Sequence, residues 1–523
     1  MVRSILSGAG YTEAPDELSA DVVLLNTCAI REKAEERVWG RLASLRGRVQ
    51  PKRRGGGPPP PAGPAEGPKR PVVGVLGCMA ERLKERLLER ERLVDVVAGP
   101  DAYRDLPRLL GAVGGGGGAA KAVNVQLSLD ETYADVAPVR AGGRVDAFVS
   151  ITRGCNNMCS FCVVPFTRGR ERSRPLASIL DEVRALSDQG YREVTLLGQN
   201  VNSYADAGGG RAPGGGGGAA GGGGGRGGGG DPFAAYAPGF RSVYVPRREG
   251  AVTFAELLAR VAEVDPEMRV RYTSPHPKDY GDDVLDVIGA YPNISKWVHM
   301  PAQSGSTAVL ERMRRGYSRE AYDALVERIR ARVPHASLST DMIVGFCGET
   351  EADHAASLDL VRRVGYDQAF LFAYSRRDRT HAARHLEDDV PGGVKQRRLR
   401  EVIDAHRAAL RDRSEAEVGR RHLVLVEGPS KRDASRLTGR TCGNRRVVFD
   451  GDGRGPAGGP AGGIAGGGGL PLRPGDYADV EITGHATNTL WGVSRGRTTL
   501  AEFVARHGDT VAERPAAAVG GGA

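Results

Sequence analysis

The stretch Arg153-Gly154-Cys155-Asn156-Asn157-Met158-Cys159-Ser160-Phe161-Cys162 places three cysteines in a C-x3-C-x2-C pattern, with an aromatic residue just before the last. Three thiolates this close can hold three corners of a cubane iron–sulfur cluster. The fourth iron then has no protein ligand and is free to chelate the amino and carboxylate groups of a small molecule. A structural zinc site would need four closed ligands. No histidine or fourth cysteine lies near the triplet, and the next histidine downstream is His276. Three cysteines cannot pair off as disulfides among themselves.

Working outward, residues 147–152 form a short apolar run that leads straight into the cysteine loop. Comparable runs follow at 193–197, 268–272, 297–300, 337–344 and 369–373. Each ends in polar residues: Gly198-Gln199-Asn200-Val201-Asn202, Thr273-Ser274-Pro275-His276, and Pro301-Ala302-Gln303-Ser304 among them. Helical spacing at 179–187 and 321–333 separates the runs. Six strand–helix units of this kind predict a full or partial α/β barrel with its active face on the C-terminal rim of the strands.

Before the barrel, residues 21–26, 72–76 and 95–98 read as strands, with helices expected at 31–45 and 80–92. This is a parallel α/β layer. Cys28 and Cys78 fall just past strand ends, the edge where parallel sheets bind ligands. After the barrel comes an Arg-rich helical connector. The β-type runs 423–426, 446–449 and 477–482 follow, accompanied by Lys431, Arg432, Arg436, Arg440, Arg445 and Arg446. A small basic β-barrel is a common single-strand nucleic-acid module.

The chain has 523 residues, too many for one ordinary core. Seven scattered cysteines are not a secreted disulfide framework and imply a reducing compartment. No run of 18 apolar residues exists, so no membrane span is expected, and residues 1–11 make a poor signal or transit peptide. The net charge of +9 favours a polyanionic partner. Glycine-rich tracts at 55–67, 114–118, 208–230 and 453–469 read as linkers or insertions.

Together these motifs resemble the methylthiotransferase branch of the radical S-adenosylmethionine (SAM) enzymes. Asn26-Thr27-Cys28-Ala29-Ile30-Arg31-Glu32-Lys33-Ala34 and the stretch from Gly154 through Thr167-Arg168-Gly169 are similar to the branch acting on N6-dimethylallyl (isopentenyl) adenosine in tRNA. Gly345-Phe346-Cys347-Gly348-Glu349-Thr350-Glu351 and Phe370-Leu371-Phe372-Ala373-Tyr374-Ser375 resemble its eukaryotic subgroup, named for association with a cyclin-dependent-kinase-5 regulatory subunit. Cys347 is read as a mark of that subgroup and a packing residue.

The resemblance implies an N-terminal domain for an auxiliary cluster over 1–112 and a linker over 113–145. A radical SAM barrel over 146–390 follows, carrying the insertion 208–230, with a helical connector over 391–420. A TRAM β-barrel over 421–500 and a tail over 501–523 complete the chain. It implies two 4Fe-4S clusters. Cys155, Cys159 and Cys162 would hold the radical cluster, and Cys28 and Cys78 two corners of the auxiliary one. The family's third auxiliary ligand is missing: either the gene model is truncated at its start, the favoured reading, or the auxiliary cluster has only two ligands.

The reaction implied uses one SAM to methylate sulfur. A second SAM is cleaved to a 5′-deoxyadenosyl radical that removes hydrogen from C2 of the modified adenine beside the anticodon. Gln199, Asn200, Asn202, Gln303 and Ser304 would lie near SAM. Phe161 would flank its adenine or pack behind the cluster, with packing favoured. Lys431, Arg432, Arg440, Arg445 and Arg446 would contact tRNA phosphates. A reducing electron donor, a sulfur source, a monomeric state and a mitochondrial or other organellar location, with the cytoplasm open, complete the expectation. The competing readings are methylthiotransferases of threonylcarbamoyladenosine in tRNA or of a ribosomal protein, and a non-catalytic protein binding a kinase regulator.

Overall fold

The computed structural model describes all residues except 18, 30–31, 50–69, 92, 115–120, 132, 141, 209–235, 243–249, 452–470 and 513–523. The glycine-rich tracts fall almost wholly outside the described residues, as do Ile30 and Arg31 of the first-domain motif.

Four parallel strands open the chain in the order β1 (Val22–Thr27), β2 (Val72–Gly77), β3 (Val94–Ala98) and β4 (Ala122–Asn124). All five residues of β3 are buried, as expected where helices cover both faces of a parallel sheet. Leu42, Leu45, Val73, Val75 and Met79 fill one face; Leu76, Val96, Leu106 and Leu109 fill the other. The stretch 113–145, expected as a linker, supplies β4, which pairs with β3 through Val96–Ala98. The helix expected over 80–92 is two pieces, Cys78–Leu83 and Arg86–Arg90. The break falls at Lys84, whose φ of 52° no right-handed helix accommodates.

Glu81 on the first of those pieces is buried, and its Oε2 has no hydrogen-bond partner among the described residues. Burial, opposed by Lys84, pushes its carboxyl from the ordinary 4.5 up to about 7. At low pH the group is protonated in folded and unfolded chains alike. As pH rises towards 7 only the unfolded chain releases the proton freely, so folding stability falls across that window. Glu81→Gln is therefore expected to raise the thermal midpoint at pH 8 and leave it nearly unchanged at pH 4. Equal shifts at both values would contradict the assignment.

The central barrel is built from β5 (Asp146–Ser150), β6 (Glu193–Leu197), β7 (Arg269–Thr273), β8 (Trp297–His299), β9 (Ser337–Val344) and β10 (Gln368–Ala373). Two parallel three-stranded sheets, β5-β6-β7 and β8-β9-β10, meet where Val270 exchanges backbone hydrogen bonds of 2.8 Å with Asn293 and Ser295. The result is a partial six-stranded barrel. Val149, Leu196, Val270, Val298, Leu338 and Val344 share one core with the surrounding helices.

The long helix Gly392–Glu417 leads to a closed five-stranded barrel of β11 (Arg421–Pro429), β12 (Leu437–Arg440), β13 (Arg446–Asp450), β14 (Tyr477–Ala486) and β15 (Thr489–Thr498). Residues after 500, expected as a tail, continue as a helix, Leu500–His507. Its Leu500 and Phe503 pack on Leu423, Leu425 and Tyr477.

The small barrel docks on the N-terminal ends of the central strands. Arg269, the first residue of β7, donates to the carbonyls of Arg440 (2.8 Å) and Leu423 (3.2 Å). Buried Arg271 donates to those of Thr441 and Cys442 while paired with Glu193 at 2.7 Å. Gln368, opening β10, donates to the carbonyl of Asn444 at 3.0 Å. Strands of five to eight residues rise roughly 17–26 Å, so this barrel lies a full strand length from the C-terminal rim.

Candidate active site

The cysteine loop starts and ends on one short antiparallel ladder, Thr152↔Ser173 and Arg153↔Arg172. Gly154 precedes the first cysteine at φ 75°, and a Cβ there would stand 2.0 Å from the carbonyl oxygen of Arg170. Only glycine fits the turn. Gly77 plays the same part before Cys78, at φ 92° and 2.6 Å from the carbonyl oxygen of Thr27. Because Thr27 pairs with Gly77, Cys28 and Cys78 follow matching ends of adjacent parallel strands.

Each thiol of the triplet receives a donor. The Asn157 amide donates to Cys155 Sγ at 3.4 Å, Val164 to Cys162 Sγ at 3.5 Å, and Arg315 Nη1 to Cys159 Sγ at 3.3 Å. Such donors favour thiolate ligands and tune a cluster. Burial pushes Cys155 well up and Cys162 up to about 12. As thiolates they need a positive partner, which iron would supply. The triplet offers three thiols on one loop, one short of the four closed ligands of a structural zinc site. A cubane asks instead for thiolates spread around its body.

Across the domain boundary, Arg168 Nε donates to Cys78 Sγ at 3.0 Å, and Ala29, Cys78 and Val163 share one apolar patch. The boundary is further fixed by Arg172 on Asp101 at 3.1 Å, and by Arg153 stacked over Tyr133 at 4.4 Å.

The rim residues divide into bound and available groups. Gln199 Oε1 accepts from the Gly154 amide at 2.7 Å and so braces the cysteine loop. Asn202 is fully engaged with the His276 backbone, donating at 3.0 Å and accepting at 2.8 Å. Asn200 Nδ2 reaches Asp279 (3.3 Å) and Glu171 (3.4 Å), while its buried Oδ1 has no hydrogen-bond partner among the described residues. Desolvation pushes Glu171 up to about 7, against the pull of Ser203 and Lys278. Ser304 Oγ meets Ser357 Oγ at 3.4 Å and accepts from the Ser306 amide at 3.2 Å. Gln303 sits buried at φ 69°, and Ser274 at φ 63°. Non-glycine residues held in the left-handed region collect where a site constrains them.

Phe161 packs behind the loop with Val309, Met313, Phe346, Cys347 and Tyr374. The small barrel corrects one expectation. Arg445 is only 6% exposed, ion-paired to Asp367 at 3.2 Å and donating to Ser414 Oγ at 2.7 Å. It ties two domains together and does not face solvent. Lys431, Arg432, Arg440 and Arg446 are exposed. Sequence reading gave no role to Arg168 and Arg315. Their guanidinium groups become interpretable only once the fold sets them against thiols distant in sequence.

The sequence matches the Radical SAM superfamily over 149–361, Uncharacterized protein family UPF0004 over 1–99, and the TRAM domain over 415–493. It is 49% identical over 498 residues to "Mitochondrial tRNA methylthiotransferase CDK5RAP1" of Mus musculus, covering 95% of this chain and 78% of that one. It is 45% identical over 492 residues to "tRNA-2-methylthio-N(6)-dimethylallyladenosine synthase" of Chloroherpeton thalassium, covering 94% and 92%. The radical SAM enzyme TsrM from Kitasatospora setae aligns with a TM-score of 0.39 at 15% identity, covering 60% of this chain and 58% of that one. The superfamily match implies a 4Fe-4S cluster and SAM, and the donors around the cysteine triplet fit both. With three domain matches in this order and near-half identity along almost the whole chain, the protein belongs to the radical SAM methylthiotransferase family.

Proposed function

We propose that this chain is a tRNA methylthiotransferase that places a methylthio group on C2 of N6-dimethylallyladenosine beside the anticodon. The observation that carries the reading is the meeting of two thiol sets. The triplet Cys155, Cys159 and Cys162 lies on one side of the domain boundary and Cys28 and Cys78 on the other; Val163, next to Cys162, packs on Cys78, and Arg168 donates to the Cys78 thiol. The printed names of the relatives supply the substrate class.

When bound, the radical cluster supplies the electron that cleaves SAM. The protein does the rest by binding and orientation. Arg315 and two backbone amides donate to the three thiols and orient them, and bound iron would supply the charge that keeps them thiolates. Gln199 fixes the loop that bears them. Asn200 Oδ1 is the acceptor left for the ammonium group of SAM, and Gln303 stands on the same rim. Asn202 and Ser304, being engaged elsewhere, shape the pocket without touching SAM. Cys28 and Cys78 would hold two corners of a second cluster, whose chemistry there would be sulfur donation. The chemistry needs an external electron donor and a sulfur source. The mammalian relatives' names support a mitochondrial location. Among the described residues no helix is long and apolar enough to cross a membrane.

Cys28→Ala and Cys78→Ala are expected to lower bound iron and methylthio product while 5′-deoxyadenosine continues to form. A variant that keeps the parent's methylthio yield, read by mass spectrometry of tRNA nucleosides, would remove these two residues from the sulfur step.

Lys431, Arg432, Arg440 and Arg446 are exposed cations of the small barrel, Arg440 sharing its charge with Glu427 at 2.9 Å, and are assigned to tRNA phosphates. Phosphate contacts give affinity without sequence information. Neutralising Arg440 and Arg446 together should reduce the slope of log affinity against log salt by about 1.4–1.8. Filter binding at several salt concentrations reads this directly, and an unchanged slope would take this face out of the complex.

A further inference from the structure

The proposed RNA-binding face of the small barrel lies a strand length from the reactive rim. A substrate held only there would leave the target base unsupported. Beside the cysteine loop, however, is an open cavity of about 660 Å³ whose wall carries Arg241, Lys278, Arg314 and Arg315 against one carboxylate, Glu311. Two of these cations are already answered: Lys278 by Asp279 at 2.5 Å, and Arg315 by Cys159 Sγ. The other two are not. Arg241 is exposed, and among the described residues it forms no ion pair. Exposed Arg314 meets only the imidazole of His381, at 2.7 Å. Desolvation, with the neighbouring Arg314 and His385, holds that imidazole's pKa below its ordinary range. Arg314 also sits at φ 56°, a backbone conformation that is costly for a side chain of its size. Met158, 37% exposed, brings the wall of the cavity to the cysteine loop itself.

We infer that Arg241 and Arg314 form an anion subsite for the RNA backbone, taking a phosphodiester next to the target adenosine and holding that nucleotide at the rim. The inference rests on the reading that RNA is the substrate. The ligand chemistry follows from the donors: two guanidinium forks without carboxylates match the oxygens of a phosphate. The cavity opens to solvent at both arginines, as a polymer threading past the rim requires. Its floor reaches the thiol loop through Met158 and Arg315.

The test uses the full chain and an anticodon stem-loop RNA carrying dimethylallyladenosine, titrated at several salt concentrations. The variants are Arg241→Gln, Arg314→Gln and the double variant. Each single variant should lower the salt slope by about 0.7, and the double by about 1.4. Near 0.1 M salt the double variant should bind about 25-fold more weakly. Arg184→Gln, on an outer helix, should leave the slope unchanged. Full parent slopes in both single variants would overturn the inference. So would weakened SAM binding in equilibrium dialysis with the RNA slope intact, since the cavity would then serve the carboxylate of SAM. A parent chain that shows no salt-dependent RNA affinity would instead overturn the functional reading on which the inference rests. Both arginines are exposed, so the single variants should fold, and thermal melting of each checks that they do.

Discussion

Replacing Cys155, Cys159 or Cys162 by alanine is expected to reduce 5′-deoxyadenosine formation to reagent background and to strip iron from the radical site. The three thiols are not interchangeable scaffolding. Each receives its own donor, from Asn157, Arg315 or Val164. Removing one leaves a buried donor without its acceptor as well as an iron without its ligand. Loss of an outer hydrogen bond alone typically costs 10–100-fold in metal affinity or activity, so loss of a ligand should cost more. The fold should survive, because the loop hangs from the ladder between Thr152–Arg153 and Arg172–Ser173 rather than from the barrel core. A single-alanine variant that retains parent levels of iron and of 5′-deoxyadenosine would defeat the assignment.

The second large effect is on stability. Asp367 lies at the start of β10, 5% exposed, and receives Arg413 at 3.0 Å, Arg445 at 3.2 Å and the Leu338 amide at 3.0 Å. It joins the central barrel, the long helix and the small barrel at one carboxylate. Asp367→Ala strands Arg445 in a buried position. Breaking such a pair from one side costs about 3–5 kcal/mol. Chemical denaturation should show that loss, together with early release of the small barrel. Arg445→Ala should cost less, because Asp367 keeps Arg413. A change below 1 kcal/mol for Asp367→Ala would mean that the network does not hold the domains together.

Much of this architecture could be read from the chain. Residues 193–197 and 337–344 are strands with the expected bounds, because each is a short segment rich in β-branched and aliphatic residues closed at once by a glycine, Gly198 or Gly345. The cysteine loop was legible because its chemistry lies within ten consecutive residues. Contacts between distant segments were not. Arg445 and Arg446 are neighbours with the same side chain, yet one is buried against Asp367 and the other exposed. Only the docking of the small barrel distinguishes them. The short β4 escaped because three residues carry no periodicity, and the helix break at Lys84 because nothing in its neighbours marks a positive φ. Asn202 looked like Asn200 from sequence; the loop after β7 engages the first and leaves Oδ1 of the second available.

If the thiol triplet drives sulfur insertion into tRNA, loss of one thiol must stop both cleavage of SAM and formation of the methylthio nucleoside. The most direct measurement is a reaction of the anaerobically iron-loaded chain with SAM, a reductant and tRNA bearing dimethylallyladenosine, with nucleosides and SAM fragments read together by mass spectrometry. 5′-Deoxyadenosine should form together with 2-methylthio-dimethylallyladenosine, and both should be abolished in Cys159→Ala. Formation of the methylthio nucleoside by the Cys159→Ala protein, or its absence from an iron-replete parent that cleaves SAM in the presence of this tRNA, would contradict it.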